Sequence, residues 1–90
     1  LLTAPTGMKS YHFHATRYYT NKPACGPKRG HGSVQPRFAF EIMCDMVAEK
    51  LQIDPIEFRK INAVKEHALT VNGQKIGSLG IVETLERVRK

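Results

Sequence analysis

Lys28 and Arg29 stand inside the run Gly26-Pro27-Lys28-Arg29-Gly30-His31-Gly32, which leads through Gln35 into a helix-forming segment at Pro36. Two cations supply positive charge, and glycine lets a backbone come close to a ligand. A helix N-terminus adds N–H groups that have no intrahelical partner. Together these have the chemistry of an anion site. The run is not a Walker A sequence, because Lys28 is not followed by Ser or Thr. Nor do Gly26, Gly30 and Gly32 follow the order of a dinucleotide fingerprint. On spacing alone, a generic turn fits the run as well as a ligand cradle does.

The remaining reactive side chains point to no other chemistry. His12, His14, Cys25, His31 and Cys44 are zinc-type donors, but no Cys-x-x-Cys or His-x-x-x-His pair exists to nucleate a site, and no metal ligand is assigned. Cys25 has cations nearby that would lower a thiol pKa, yet no base at a recognisable spacing, so it reads as a small loop residue. Cys44 reads as a packed thiol within a helix, and Met43 and Met46 as core. Glu41, Asp45 and Glu49 follow at four-residue steps, the pattern of a solvated helix face. No carboxylate pair resembles a general acid and base, so no catalytic residue is assigned.

The elements that must position the loop can be read from periodicity and turn chemistry. Residues 10–20 are rich in aromatic and β-branched types and predict a strand, with Tyr11, Phe13 and Ala15 on one face and His12, His14 and Thr16 on the other. Pro23 and Gly26-Pro27 stop it. Over 36–51 the apolar Phe38, Ile42, Met46, Val47 and Leu51 predict a helix with one buried face, with Ser33 as N-cap. Asp54-Pro55-Ile56-Glu57 reads as a capping box that starts a second helix over 55–62, burying Ile56, Phe58 or Ile61. Asn72-Gly73 between 68–71 and 74–77 predicts a small hairpin with a type I′ turn. A last helix over 79–89 buries Ile81, Leu85 and Val88 and pairs Glu83 with Arg87. The expected fold class is α+β: an N-terminal strand, a Gly-rich loop, two consecutive helices, a small β-hairpin and a C-terminal helix.

Ninety residues allow one small domain at most. The chain starts at Leu1-Leu2 without an initiating Met and reads as a piece of a larger protein, 1–90 being one segment of a bigger domain. An apolar content of 41% with 24% charged residues argues against disorder. No apolar run approaches the roughly 18 residues that a membrane span needs, and no signal-peptide pattern is present. Two cysteines without framework spacing suggest a reducing, cytoplasmic setting. The net charge of +6 admits a basic, non-catalytic module for nucleic acid or another anion, with Lys22, Lys28 and Arg29 near the loop and Arg87, Arg89 and Lys90 at the end. A fragment that shows only part of its parent's charge is the simpler account.

Taken in order, Tyr19-Thr20-Asn21, the Gly26 to Gly32 loop, Gln35, Phe38-Ala39-Phe40-Glu41, Ala48-Glu49-Lys50-Leu51, Asp54-Pro55, Glu57, Arg59 and Asn62 resemble the molybdenum-cofactor-binding large subunit of the xanthine dehydrogenase and aldehyde oxidase family. The resemblance covers nearly the whole chain and is strongest over 18–62. It implies a molybdenum-cofactor-dependent oxidoreductase, a hydroxylase or reductive dehydroxylase of aromatic, heterocyclic or acyl-CoA substrates. It implies molybdopterin in the parent, iron–sulfur and FAD groups on partner subunits or domains, no membrane partner, and an isolated fragment without activity. It also implies cofactor contact at Gly26, Pro27, Lys28, Arg29 and Gly30, and a substrate pocket at His31, Gly32 and Gln35. Lys28 and His31 stand where the family's hydroxylases commonly carry Phe. The Arg29-Gly30-His31-Gly32 variant, with Leu69-Thr70-Val71-Asn72 and Gly80 downstream, is more similar to the branch around 4-hydroxybenzoyl-CoA reductase.

Overall fold

A computed structural model describes residues 5–24 and 26–89. It contains three helices, α1 (Val34–Leu51), α2 (Pro55–Asn62) and α3 (Ile81–Val88), joined by irregular segments. The fold is helical, which corrects the α+β expectation. Among the described residues the only β contacts are isolated bridges, Thr6 with Ala63 and Leu69 with Lys75. Residues 10–20 form no ladder and are exposed throughout. A strand is stable only beside a partner that takes its N–H and C=O groups, and no described segment pairs with these residues. The Tyr11 and Phe13 rings still stack, with centroids 6.3 Å apart, at the two-residue spacing foreseen for one face.

The β-hairpin is likewise replaced by a tight turn with one bridge. Gly73 N–H donates to Thr70 O at 2.9 Å, and Thr70 N–H donates to Gln74 O at 2.9 Å. Gly73 has φ +80°, while Asn72 keeps a negative φ, so the turn is not type I′. The Thr70 hydroxyl donates to Asn72 Oδ1 at 2.7 Å and accepts from Gln74 N–H at 3.0 Å, closing the loop through side chains.

The connection between α1 and α2 is fixed by caps at both ends. Gln52 takes the left-handed conformation (φ 54°) and donates its N–H to Glu49 O at 3.0 Å, while Ile53 N–H reaches Ala48 O at 2.9 Å. That is a Schellman closure, here without glycine. Asp54 follows at once as N-cap of α2, its Oδ1 accepting from Ile56 and Glu57 N–H at 3.0 Å each, with Pro55 in the first turn. Glu57 does not reach back as a capping box requires. Its carboxylate pairs with Lys60 at 3.3 Å and Arg89 at 3.7 Å.

Packing differs most from expectation along α1. Phe38, Ile42, Met43, Met46 and Leu51 are exposed, Phe38 to 68%, and Ala48 is the buried residue of the helix. Eighteen residues make a helix about 27 Å long, whereas α2 and α3, eight residues each, are about 12 Å. Two such short helices cannot cover the whole apolar perimeter of α1. Ile56 and Phe58 of α2, and Ile81 and Leu85 of α3, are half-buried, while Ile61 and Val88 are exposed. Instead of the expected Glu83–Arg87 pair, α3 is tied to α2 by Glu86, 3.2 Å from Lys60. Among the described residues, no helix is long and apolar enough to cross a membrane.

Candidate functional site

The 26–32 loop runs directly into α1 and is shaped by two successive turns. His31 N–H donates to Lys28 O at 2.9 Å, and Ser33 N–H donates to Gly30 O at 3.0 Å. Ser33 stands at the N-cap position, but its Oγ donates back to Gly30 O at 2.9 Å and does not cap the helix. The hydroxyl therefore fastens the loop. Gly30 and Gly32 have φ +74° and +80°, a region that costs an L-residue roughly 1–2 kcal/mol. A Cβ on Gly30 would also press on Val34 Cγ2 at 3.3 Å, while one on Gly26 or Gly32 would meet open space.

Pro27, Lys28, Arg29, His31 and Gln35 are all exposed. No acidic residue occupies the first turn of α1, so its positive end is not offset by a carboxylate there. Two exposed cations beside a helix N-terminus without a first-turn carboxylate suit an anionic group. The left-handed glycines keep the backbone narrow at the same place. Cys25 lies outside the described residues. His12 and His14 are exposed, and among the described residues no group of three or more His, Cys, Asp or Glu could hold a metal ion.

A second arrangement was not foreseen from the sequence. Arg59 of α2 reaches back to α1 and donates Nε–H to Glu41 Oε2 at 2.8 Å and Nη1–H to Asp45 Oδ1 at 2.7 Å. Nη2–H donates to the backbone oxygen of Glu41 at 3.1 Å. Glu41 and Asp45 thus belong to a clamp, not to a merely solvated face. Burial opposes the Arg59 charge, but the hydrogen bonds to Asp45 and Glu41 outweigh it and hold the guanidinium pKa above its ordinary value. Glu49, one turn further along, remains exposed.

Beside the clamp lies an apolar groove of about 470 Å³ between α1, α2, α3 and the 5–8 segment. Phe40, Cys44, Val47, Phe58 and Leu85 are among its walls. None of the residues expected to contact cofactor or substrate lines it. Cys44 is half-buried there, and burial, followed by the charge of Glu41, pushes its thiol pKa up.

Comparison with known proteins gives the loop and helices a context. Residues 2–63 match the family described as the molybdopterin cofactor-binding domain. The chain is 43% identical over 82 residues to a putative xanthine dehydrogenase molybdenum-binding subunit of Escherichia coli (strain K12), covering 90% of this chain and 11% of that protein. It is 38% identical over 73 residues to the nicotinate dehydrogenase large molybdopterin subunit of Eubacterium barkeri, covering 80% and 17%. To an aldehyde oxidoreductase of Megalodesulfovibrio gigas it is 36% identical over 61 residues, covering 68% and 7%. The chain therefore spans only a small part of the length of these relatives. No solved structure matches it.

Proposed function

The chain belongs to the molybdopterin cofactor-binding domain family, and from that premise we propose that it is one segment of a larger cofactor-binding domain, whose 26–32 loop contacts the pterin. The parent is a molybdenum-dependent oxidoreductase. The observation that carries this reading is the loop itself: Gly30 and Gly32 at positive φ, with exposed Lys28 and Arg29, immediately before the N-terminus of α1.

When bound, the cofactor would supply the redox chemistry of oxygen transfer to or from an electron-poor carbon. This chain's residues bind and orient. Arg29 and Lys28 attract the anionic end of the pterin, Gly26, Pro27 and Gly30 admit it close to the backbone, and α1 adds its N-terminal dipole. His31, Gly32 and Gln35 face the substrate side, where an imidazole donates or accepts a hydrogen bond in place of an aromatic face. Relatives named for xanthine and nicotinate support an aromatic or heterocyclic substrate, the broad class that contains the finer reading below. The Arg29-Gly30-His31-Gly32 sequence supports the finer assignment to the 4-hydroxybenzoyl-CoA reductase branch, with electrons carried by iron–sulfur and flavin groups on partner subunits. A cytoplasmic setting goes with such a complex.

The test is molybdenum and pterin content of the full-length protein, purified with its partners, wild type against Arg29→Ala. Cofactor in the wild type and a drop of about tenfold in occupancy in the variant is the expected result, from losing charge-assisted hydrogen bonds. A wild type without molybdenum overturns the reading. Salt-sensitive nucleic-acid binding, lost with Lys28→Ala, would then replace it with the basic-module reading.

A further inference from the structure

We propose that Arg59 is a positioning residue for the 26–32 loop, acting through α1; this rests on the cofactor role given to that loop above. Arg59 uses all three guanidinium nitrogens. Besides the contacts to Glu41 and Asp45, Nη1–H donates to Pro55 O at 3.1 Å, which ties the side chain back to the start of its own helix. Glu41 and Asp45 are one turn apart on α1, so a single rigid fork grips two successive turns and a backbone oxygen of that helix. One bond would leave α1 free to pivot. Two on adjacent turns fix both its rotation and its slide against α2.

From Glu41 the contacts run on to the loop. Glu41 Oε1 accepts from Arg37 Nη1 at 3.3 Å, one turn nearer the helix start. Arg37 N–H donates to Ser33 O at 3.2 Å, and Ser33 holds Gly30 O with both its N–H and its Oγ. Gly30 is one of the loop's two left-handed glycines. Every step from the Arg59 guanidinium to Gly30 is a hydrogen bond or a turn of helix.

Among the described residues, this end of α1 has Pro36, Arg37 and Phe40 half-buried and none fully buried. Val34, Phe38 and Ile42 are exposed, and the buried Ala48 lies towards the other end. Among the described residues, all ion pairs between α1 and α2 run through Arg59. A lysine keeps the charge but has no planar fork, so it cannot grip Glu41, Asp45 and the backbone oxygen together.

The test uses the full-length protein with its partners and compares wild type, Arg59→Lys, and the milder Asp45→Asn. In cofactor-free protein, the rate of tryptic cleavage after Lys28 and Arg29 is measured against cleavage after Lys9 and Arg17, which lie outside the contacts described. Cofactor content is measured in parallel. Loss of a charge-assisted contact should raise the cleavage ratio by about tenfold in Arg59→Lys, and less in Asp45→Asn, with a matching fall in pterin and molybdenum. An unchanged ratio in both variants overturns the proposal, and so does a rise shared equally by all four sites, which would mean general loosening. Should the wild type hold no molybdenum, the cofactor reading fails, while the cleavage ratio still decides whether Arg59 holds the loop.

Discussion

A guanidinium and two carboxylates show why residue types alone under-determine their roles. Acidic residues at four-residue steps look the same whether water or a partner faces them, and the partner of Glu41 and Asp45 lies on the next helix. Cys44, beside this cluster, allows a direct check. Burial and the charges of Glu41 and Asp45 favour its neutral form, against Arg59 and Arg37. Its folded pKa is raised, so it contributes stability that is present below the unfolded thiol pKa and is lost as pH rises through the folded value. Alkylation of Cys44 by iodoacetamide should therefore be slower than that of a free cysteine at pH 8 and climb only at more alkaline pH. Labelling at the rate of an unfolded control would contradict this. The stability profile of Cys44→Ser should decline less steeply at alkaline pH than that of the wild type, Lys60 still contributing to the decline.

The elements divide according to how local their causes are. The ends of α1 and α2 follow from residues within a turn of each other, and Asp54 with Pro55 marked the start of α2 in the sequence for that reason. Asp54→Ala removes the oxygen that accepts from two N–H groups and should lower stability by about 1 kcal/mol, read in the full-length protein as a lower urea midpoint, with Asp54→Asn nearer wild type. The loop makes a similar prediction. Gly32→Ala should destabilise by roughly 1 kcal/mol, because its φ is left-handed. Gly26→Ala meets open space in the free chain, so it should leave stability alone and reduce cofactor content only. Equal losses of stability in both variants would assign the glycines a purely structural role. The strand expected at 10–20 has no such local cause, since a strand needs a partner that its own pattern does not supply, while the hairpin expected at 68–77 stops at one bridge, Asn72 lacking the positive φ of a type I′ turn.

At the scale of the molecule, the apolar surface outweighs the core. Among the described residues Ala48, Val64 and Ile76 are the buried apolar ones, while Tyr18, Tyr19, Phe38 and Met46 stand exposed. The radius of gyration is 15.6 Å, against about 12 Å for a compact chain of this length. Such a core contributes little against the conformational entropy of 90 residues. The isolated chain should therefore melt without a sharp transition by circular dichroism, whereas the same residues in the full-length protein should be protected from hydrogen exchange along α1. A cooperative melt of the isolated chain would show that the exposed apolar surface needs no covering.

The features with local causes were legible in the amino-acid sequence by itself: the cations among glycines, the cap at Asp54, the ordered motif from Tyr19 to Asn62 that marks the family. Hydrogen bonds one to four residues apart and the chemistry of single side chains determine these. What only the tertiary structure decided is who meets whom across helices. It turned the carboxylates of α1 towards Arg59, left Phe38 and Met46 uncovered, and denied 10–20 a partner strand. Each depends on the angle and reach between neighbouring segments, which periodicity within one segment does not encode.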